Sequence, residues 1–406
     1  MKPRYIKRAI EPTVKKAVKE FPVVVLTGPR QSGKTTLLKK LFDKTHKYVS
    51  LETPDIREAA VSDPRGFLAL NQPPVIFDEI QYAPQLLAYI KEAVDAKRHL
   101  KGQYILTGSQ NLLLSQHISE TLAGRTAIIC LLPLSFKEAL RQPDAVLPWE
   151  HSKPDLAQKK FSHKDMWRFI LRGGYPELTA EPGRDPVLWQ SGYLHTYLER
   201  DLRLIKQIGD LTQFQIFMRA LAARNGQLFN MTEISRELGV AVNTVKSWLS
   251  VLEASYQVII LRPYYKNIGK RLIKTPKIYF TDSGTLCYLT GIKTIEQALG
   301  STAGSFLFET VILTEIIKYY KNKGLDSQVY FWRTSYGAEV DIIVESLGGC
   351  IPIEVKLSST PKLKMADGIN TFFKNFPKSH KGYLIHAGSI VLPLGKNTVA
   401  MPFGML

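Results

Sequence analysis

Pro22-Val-Val-Val-Leu-Thr-Gly-Pro-Arg-Gln-Ser-Gly-Lys-Thr-Thr-Leu37 runs from an unbroken apolar stretch into a loop that spells G-x-x-x-x-G-K-T between Gly28 and Thr35. Val23, Val24, Val25 and Leu26 read as a strand buried on both faces, and residues 35–42 read as the start of a helix. A loop between such a strand and such a helix is a P-loop. Gly28 and Gly33 let the backbone turn around an anion, while the N–H groups of the loop and helix N-terminus point at phosphate oxygens. The expected cradle is Gly28, Pro29, Arg30, Gln31, Ser32, Gly33, Lys34, Thr35 and Thr36. Lys34 would reach the β- and γ-phosphates of ATP, and the Thr35 hydroxyl would ligate Mg²⁺.

Outward from the loop, residues 47–51 read as a second strand and residues 75–77 as a third, which ends in Asp78-Glu79. This is a Walker B pattern. It places the Asp78 carboxylate at the carboxyl end of a buried strand beside the P-loop, where it can hold the Mg²⁺ shell. Glu79 is the residue to orient or polarise the attacking water, since two acids ending a buried strand are costly without such a task. A further strand over 103–106 ends in Thr107-Gly-Ser-Gln110, the position where P-loop ATPases with an added strand between the two motifs carry a polar sensor of the γ-phosphate. Ser109 is the first candidate and Thr107 the second. Arg125, just before an apolar strand over 127–132, reads either as a phosphate-facing arginine or as a helix-end arginine paired with a local acid.

At 406 residues, and with about 150 residues per domain as a guide, two to four domains are expected. The chain is 45% hydrophobic without an apolar run of membrane-spanning length, and Met1-Lys-Pro-Arg-Tyr-Ile-Lys-Arg8 lacks the apolar core of a signal peptide. A cytoplasmic protein without a membrane partner is expected. Cys130, Cys287 and Cys350 lie far apart and in no ligand spacing, so neither a disulfide framework nor a zinc site is implied. The formal charge of +18 points to a polyanionic partner, with DNA as the candidate. A protein partner and self-association both stay open. The first fifty residues carry thirteen Lys or Arg against three Asp or Glu. Lys2, Arg4, Lys7, Arg8, Lys15, Lys16 and Lys19 precede the P-loop, which predicts a basic amphipathic arm.

Residues 140–165 are polar, contain Pro143, Pro148 and Pro154, and read as a loop or insertion. Residues 166–208 are helical in pattern, broken at Gly173-Gly174, and would pack as a lid on the ATPase core. Within them Arg200, Asp201 and Arg203 read as a salt-linked helix face or as a nucleotide-sensing group. Residues 231–253 read as helix, turn at Gly239 and second helix, a winged helix-turn-helix pattern. Its second helix would present Asn243, Thr244, Lys246 and Ser247 to bases and phosphates. Residues 254–281 contain no acid but carry Arg262, Lys266, Lys270, Arg271, Lys274 and Lys277, interleaved with Tyr256, Tyr264, Tyr265 and Tyr279. Such a stretch suits a wing that follows a phosphate backbone and stacks on bases. The alternative is a packing module between domains.

Toward the C-terminus, residues 304–320 read as an amphipathic helix carrying Glu309, residues 329–332 as a strand, and residues 339–344 and 351–357 as a hairpin around Gly348-Gly349. Glu354 and Lys356 are two apart and share a face, which Asp341 can reach from the neighbouring strand. Asp, then E-x-K, with an acid on the preceding helix, resembles the PD-(D/E)-x-K restriction-endonuclease-like superfamily. That resemblance implies Asp341, Glu354 and Lys356 as catalytic groups, and Glu309, Asp341 and Glu354 as ligands of Mg²⁺ or Mn²⁺. The alternative is a structural bridge between Lys356 and Glu354 in a fold that has lost its chemistry.

Gly28-Pro-Arg-Gln-Ser-Gly-Lys-Thr35, Phe77-Asp-Glu-Ile-Gln81, Leu106-Thr-Gly-Ser109, Leu122-Ala-Gly-Arg125 and Pro133-Leu-Ser-Phe136 together resemble a family of prokaryotic AAA-type ATPases that end in a domain of unknown function. Gly173-Gly-Tyr-Pro-Glu177 and Tyr197-Leu-Glu-Arg-Asp201 extend the likeness over nearly the whole chain. The expected fold is α/β: a parallel-sheet P-loop core over 1–139, a loop and helical lid over 140–209, a winged helix over 210–281 and a nuclease-like α/β domain over 282–406. The expected activity is ATP hydrolysis with DNA association, and either metal-dependent cleavage or an ATP-gated switch that does not cleave.

Overall fold

In the computed structural model, which describes residues 5–108, 121–150, 162–197, 210–265, 274–346, 349–379 and 381–406, the apolar runs around the P-loop form five parallel strands. These are β1 (Val23–Thr27), β2 (Lys47–Ser50), β3 (Val75–Asp78), β4 (Tyr104–Gly108) and β5 (Thr126–Cys130), in the spatial order β2-β3-β4-β1-β5. Along β1 the side chains alternate between two cores. Val24 and Leu26 pack with the Glu11–Glu20 and Lys34–Phe42 helices, and Val23 and Val25 pack with the Pro64–Leu70 and Leu86–Ala96 helices. Both faces are covered, as an all-parallel sheet requires. As the added strand between the two motifs, β4 separates β3 from β1, so Asp78 reaches the P-loop across one strand.

From Tyr5 onward the basic stretch before the P-loop packs on the ATPase core. In the Glu11–Glu20 helix Val14 and Ala17 face the sheet while Lys15, Lys16 and Lys19 face solvent, and Arg8 is only 3% exposed.

The middle of the chain is helical. Ser162 opens the His163–Arg172 helix with a capping box to Asp165, and the chain continues through Pro176–Ala180, Pro186–Tyr197 and Leu211–Ala223. Asn230 caps Met231–Leu238, and Gly239, at φ +64°, ends that helix in the left-handed conformation before Val242–Ala254 begins. Phe214 and Phe217 of the Leu211–Ala223 helix pack on Trp248 of the Val242–Ala254 helix. A two-stranded antiparallel ribbon follows, β6 (Val258–Leu261) with β7 (Lys277–Phe280), and Leu228 bridges to Lys277 along its other edge. The Ser283–Thr290 helix packs back onto His163–Arg172 and Leu211–Ala223, so the residues just past 281 complete this unit.

The Ala303–Asn322 helix leads into a six-stranded sheet of β8 (Val329–Arg333), β9 (Glu339–Ser346), β10 (Gly349–Lys356), β11 (Gly382–His386), β12 (Leu392–Pro393) and β13 (Thr398–Pro402), ordered β12-β13-β11-β10-β9-β8. Strands β8, β9 and β10 form an antiparallel meander. The Asp367–Asn375 helix then crosses to β11, which lies parallel to both β10 and β13. The Ala303–Asn322 helix, expected to be amphipathic, is buried around most of its circumference. It lies against both the C-terminal sheet and the ATPase core, where Glu315 accepts from the Phe136 N–H at 2.8 Å and Lys318 donates to the Leu134 carbonyl at 3.0 Å.

Among the described residues no helix is long and apolar enough to cross a membrane. Cys130, Cys287 and Cys350 form no disulfide.

Candidate functional site

The loop after β1 turns where the glycines allow it. Gly28 and Gly33 sit at φ +139° and +95°, and Gln31 between them at +58°. A Cβ at Gly28 would lie 2.1 Å from the Leu131 carbonyl oxygen, so this position is closed to any side chain. Lys34 is buried and donates to the Gly28 and Pro29 carbonyls at 3.0 and 2.9 Å. Burial lowers its pKa, opposed by Glu79 and then Asp78. A phosphate entering the loop would replace two carbonyls with an anion, a better partner for a desolvated ammonium.

Asp78 collects three hydroxyls. Thr35 donates to Oδ2 at 2.8 Å, Tyr48 donates to the same oxygen, and Thr107 donates to Oδ1. Thr35 and Asp78 therefore stand where one hard cation could touch both oxygens, and the buried Ser32 hydroxyl has no hydrogen-bond partner among the described residues. Both observations fit a bound Mg²⁺-nucleotide. Glu79 follows at φ +59°, its N–H donating to Thr107 Oγ1 at 3.0 Å and its carboxylate accepting from Gln81. Thr107, the second sensor candidate, thus ties the end of β4 to Asp78 of β3 and to Glu79 just after it. Ser109, the first candidate, lies outside the described residues, as do Arg200, Asp201 and Arg203.

Arg125 does not face the phosphates. It precedes β5, its carbonyl accepts from Val23 N–H at the start of β1, and in a parallel sheet this is the end opposite the P-loop. Its guanidinium forms a fork on Asp95, at 2.6 and 2.9 Å, which is the pairing with a local acid.

Three contacts over the nucleotide loop are not legible in the sequence. Arg8 donates to the Ser32 carbonyl at 2.9 Å, the Leu132 carbonyl at 2.7 Å and buried Glu138 at 3.0 Å, bracing the loop. Pro176, in the Gly173-Gly-Tyr-Pro-Glu177 motif, stands 3.6 Å from where a Gly33 Cβ would be. Tyr256, between the Val242–Ala254 helix and β6, holds φ +61° and donates its hydroxyl to Thr27 Oγ1 at 2.8 Å, one residue before Gly28.

In the C-terminal sheet the hairpin register brings Asp341 beside β10. Its Oδ2 accepts from the Val355 N–H at 2.8 Å and lies 3.9 Å from Lys356 Nζ, which bridges Glu354 at 2.6 Å. Glu309, Glu339 and Asp341 line an open cavity of about 470 Å³ together with Lys277 and Arg333. Burial first and Asp341 second hold the Glu309 and Glu354 carboxyls above the ordinary range.

The expected metal set, Glu309, Asp341 and Glu354, is not formed. Among the described residues no group of three or more His, Cys, Asp or Glu side chains could hold a metal ion. The acids turn to lysines instead: Glu354 to Lys356, and Glu309 and Glu339 to Lys277, at 3.9 and 2.6 Å. Tyr279 also donates to Glu309. This corrects the reading of the ribbon as well. Lys277 is 5% exposed and does not follow a phosphate backbone, while Tyr279 and Tyr264 are buried and Tyr256 is turned to the P-loop, so these aromatics do not present faces to bases. Lys266, Lys270, Arg271 and Gly348 lie outside the described residues.

Residues 20–140 match the AAA domain family, residues 163–296 a domain of unknown function (DUF8612) and residues 305–406 a second domain of unknown function (DUF4143). The middle match runs across the boundary expected at 281. Uncharacterized protein Rv2008c of Mycobacterium tuberculosis is 31% identical over 399 residues, covering 96% of this chain and 82% of that protein. Uncharacterized protein MJ1544 of Methanocaldococcus jannaschii is 26% identical over 348 residues, covering 79% and 72%. Among solved structures, the Walker-type ATPase paby2304 of Pyrococcus abyssi aligns at a TM-score of 0.45 and 16% identity, over 70% of this chain and 96% of that one. The chain belongs to the family of Rv2008c, and within it carries an AAA ATPase domain followed by the two domains of unknown function.

Proposed function

We propose that the protein is a nucleotide-gated switch: ATP binding and hydrolysis in the AAA domain set the position of the helical middle unit, which holds duplex DNA without cutting it. One observation carries this reading. Tyr256, at the root of the β6–β7 ribbon, bonds to Thr27 at the mouth of the P-loop, so loop and ribbon share a hydrogen bond that a filled loop must either keep or break.

Lys34 would leave the two loop carbonyls for the phosphates, and the Ser32 hydroxyl would gain a phosphate oxygen as partner. Thr35 and Asp78 would hold Mg²⁺, which when bound neutralises phosphate charge. Glu79 would accept a hydrogen bond from the attacking water and align it with the γ-phosphorus, Gln81 and Thr107 holding that carboxylate and its backbone in place.

The order of helix, bridging strand, two further helices and antiparallel ribbon supports reading residues 210–281 as a winged helix. Asn243 and Lys246 are exposed on its second helix. The helix, antiparallel meander, helix and parallel strand of the C-terminal domain support a nuclease-type frame. The pairing of its acids to Lys277 and Lys356 supports a frame that does not cleave.

Duplex binding is expected to weaken steeply with salt. Replacing Lys266, Lys270, Arg271 and Lys274 together by Gln should flatten the slope of log affinity against log salt by about 3 to 4, since each phosphate neutralised by a cation adds roughly 0.9 to it. The check is a salt titration in Mg²⁺ with the DNA recovered afterwards. Intact DNA and a flattened slope support the reading. An unchanged slope contradicts the DNA-holding ribbon, and cut DNA contradicts the non-cleaving frame.

A further inference from the structure

A second cavity, of about 310 Å³, lies where three parts of the chain meet. Ala9 and Pro12 come from the segment before β1, Val146 and Leu147 from the loop after the Phe136–Ala139 helix, and Glu315 and Tyr319 from the Ala303–Asn322 helix. The loop is strapped down at both ends. Lys7 holds Asp144 at 2.9 Å, Trp149 donates to the Tyr320 hydroxyl at 3.2 Å, and Lys323 stands 3.9 Å from Glu150. The other two walls are joined as well, since the Thr13 hydroxyl donates to the Asn322 carbonyl at 2.7 Å. A cavity whose walls are tied to one another is preformed, and most of its lining is apolar. An ammonium also lines it. Lys137 is 7% exposed and donates to the Gly404 carbonyl at 2.7 Å. Burial pulls its pKa down to about 8, and Glu315 opposes that. The same Glu315 carboxyl lies 4.0 Å from Lys318 and accepts from the Phe136 N–H, so it serves two ammonium groups at once.

We propose that this cavity binds a small monocarboxylic acid with an apolar body, its carboxylate set on Lys137 and its body among Ala9, Pro12, Val146, Leu147 and Tyr319. Size, lining and charge each narrow the class. At the roughly 30 Å³ that a water molecule takes in the liquid, the space admits about ten non-hydrogen atoms, as in an eight-carbon acid. An apolar lining suits a hydrocarbon or aromatic body and rejects a sugar, whose hydroxyls would lose their hydrogen bonds to water. A desolvated ammonium makes its strongest hydrogen bond to an anion, whereas the second negative charge of a phosphate would be set against the Glu315 carboxyl. Ala9 directly follows Arg8, the brace of the P-loop at Ser32, and its own N–H donates to Glu138. The bound acid therefore sits between the support of the nucleotide loop and the C-terminal domain.

The probe is octanoate, titrated calorimetrically into the full chain at neutral pH and below its aggregation threshold, beside octanol and octylamine. Wild type is expected to bind a single octanoate per chain at least about tenfold more tightly than either analogue, the margin of one charge-assisted hydrogen bond. Lys137→Met is expected to bind octanoate and octanol alike, and Val146→Trp, which fills the space, to bind neither. A diazirine-bearing octanoate analogue, cross-linked to wild type and located by mass spectrometry, is expected to label the 143–147 loop or the Ala303–Asn322 helix. That arm decides the matter should Lys137→Met fail to fold. Wild type that does not bind octanoate, equal affinity for the three probes, a folded Lys137→Met that keeps its preference for the acid, or label confined to other segments overturns the proposal.

Discussion

Glu79→Gln is expected to bind ATP as tightly as wild type and to turn it over about 10² to 10⁴ times more slowly, the range for losing a positioned acid-base group. The phosphate cradle does not include this carboxylate. It consists of the loop backbone, buried Lys34 and the Thr35 hydroxyl on Asp78. The Glu79 backbone is held independently, through its N–H on Thr107, and Gln can still meet Gln81 through its amide oxygen. What is lost is the negative charge that polarises water. Lys34→Ala should show the opposite split, with binding itself abolished. Equilibrium nucleotide binding beside single-turnover hydrolysis separates the two, and unchanged hydrolysis in Glu79→Gln would contradict its role.

The second large effect concerns a residue remote from the chemistry. Arg8→Met is expected to cost about 3 to 5 kcal/mol, the usual consequence of stranding one member of a buried ion pair. Glu138 is fully buried; it accepts from Arg8 and from the Ala9 and Ser135 N–H groups. Without the guanidinium its charge has no counter-ion, and the Ser32 and Leu132 carbonyls lose their donors. Arg8→Met/Glu138→Gln removes the stranded charge and should recover part of the loss. Urea midpoints are the measure, expected in the order wild type, double variant, single variant. Equal midpoints for wild type and Arg8→Met would show that the brace is dispensable. Nucleotide affinity should fall with it, since Arg8 supports the loop at Ser32.

The nucleotide loop and its acids are legible in the sequence because their signals are local. An apolar run followed by G-x-x-x-x-G-K-T and another ending in Asp-Glu each place one strand end, and parallel pairing carries both ends to the same edge of the sheet. The same rule removes Arg125, since a residue that precedes a strand lies at the far edge from one that follows a strand. What the sequence hides is long-range. Arg8 sits in a run of lysines that do face solvent, and only Glu138, 130 residues away, reveals that it is buried. Lys277 and Tyr279 alternate with apolar residues on a ribbon whose composition reads as a nucleic-acid surface. Glu309 and Glu339, contributed by a helix and a strand that follow, turn both inward. The two-residue period of the E-x-K strand is enough to put Glu354 and Lys356 on one face. The separation of charges among three acids and two lysines, though, depends on partners that no short window contains.

The most direct measurement of the switch is duplex affinity of the Glu79→Gln protein with and without saturating Mg·ATP, repeated with Tyr256→Phe added. Gating through the ribbon root predicts that nucleotide changes duplex affinity by about fivefold or more, that duplex changes nucleotide affinity by the same factor, and that loss of the Tyr256 hydroxyl shrinks both. Duplex affinity that is identical with and without nucleotide at every salt concentration would contradict it.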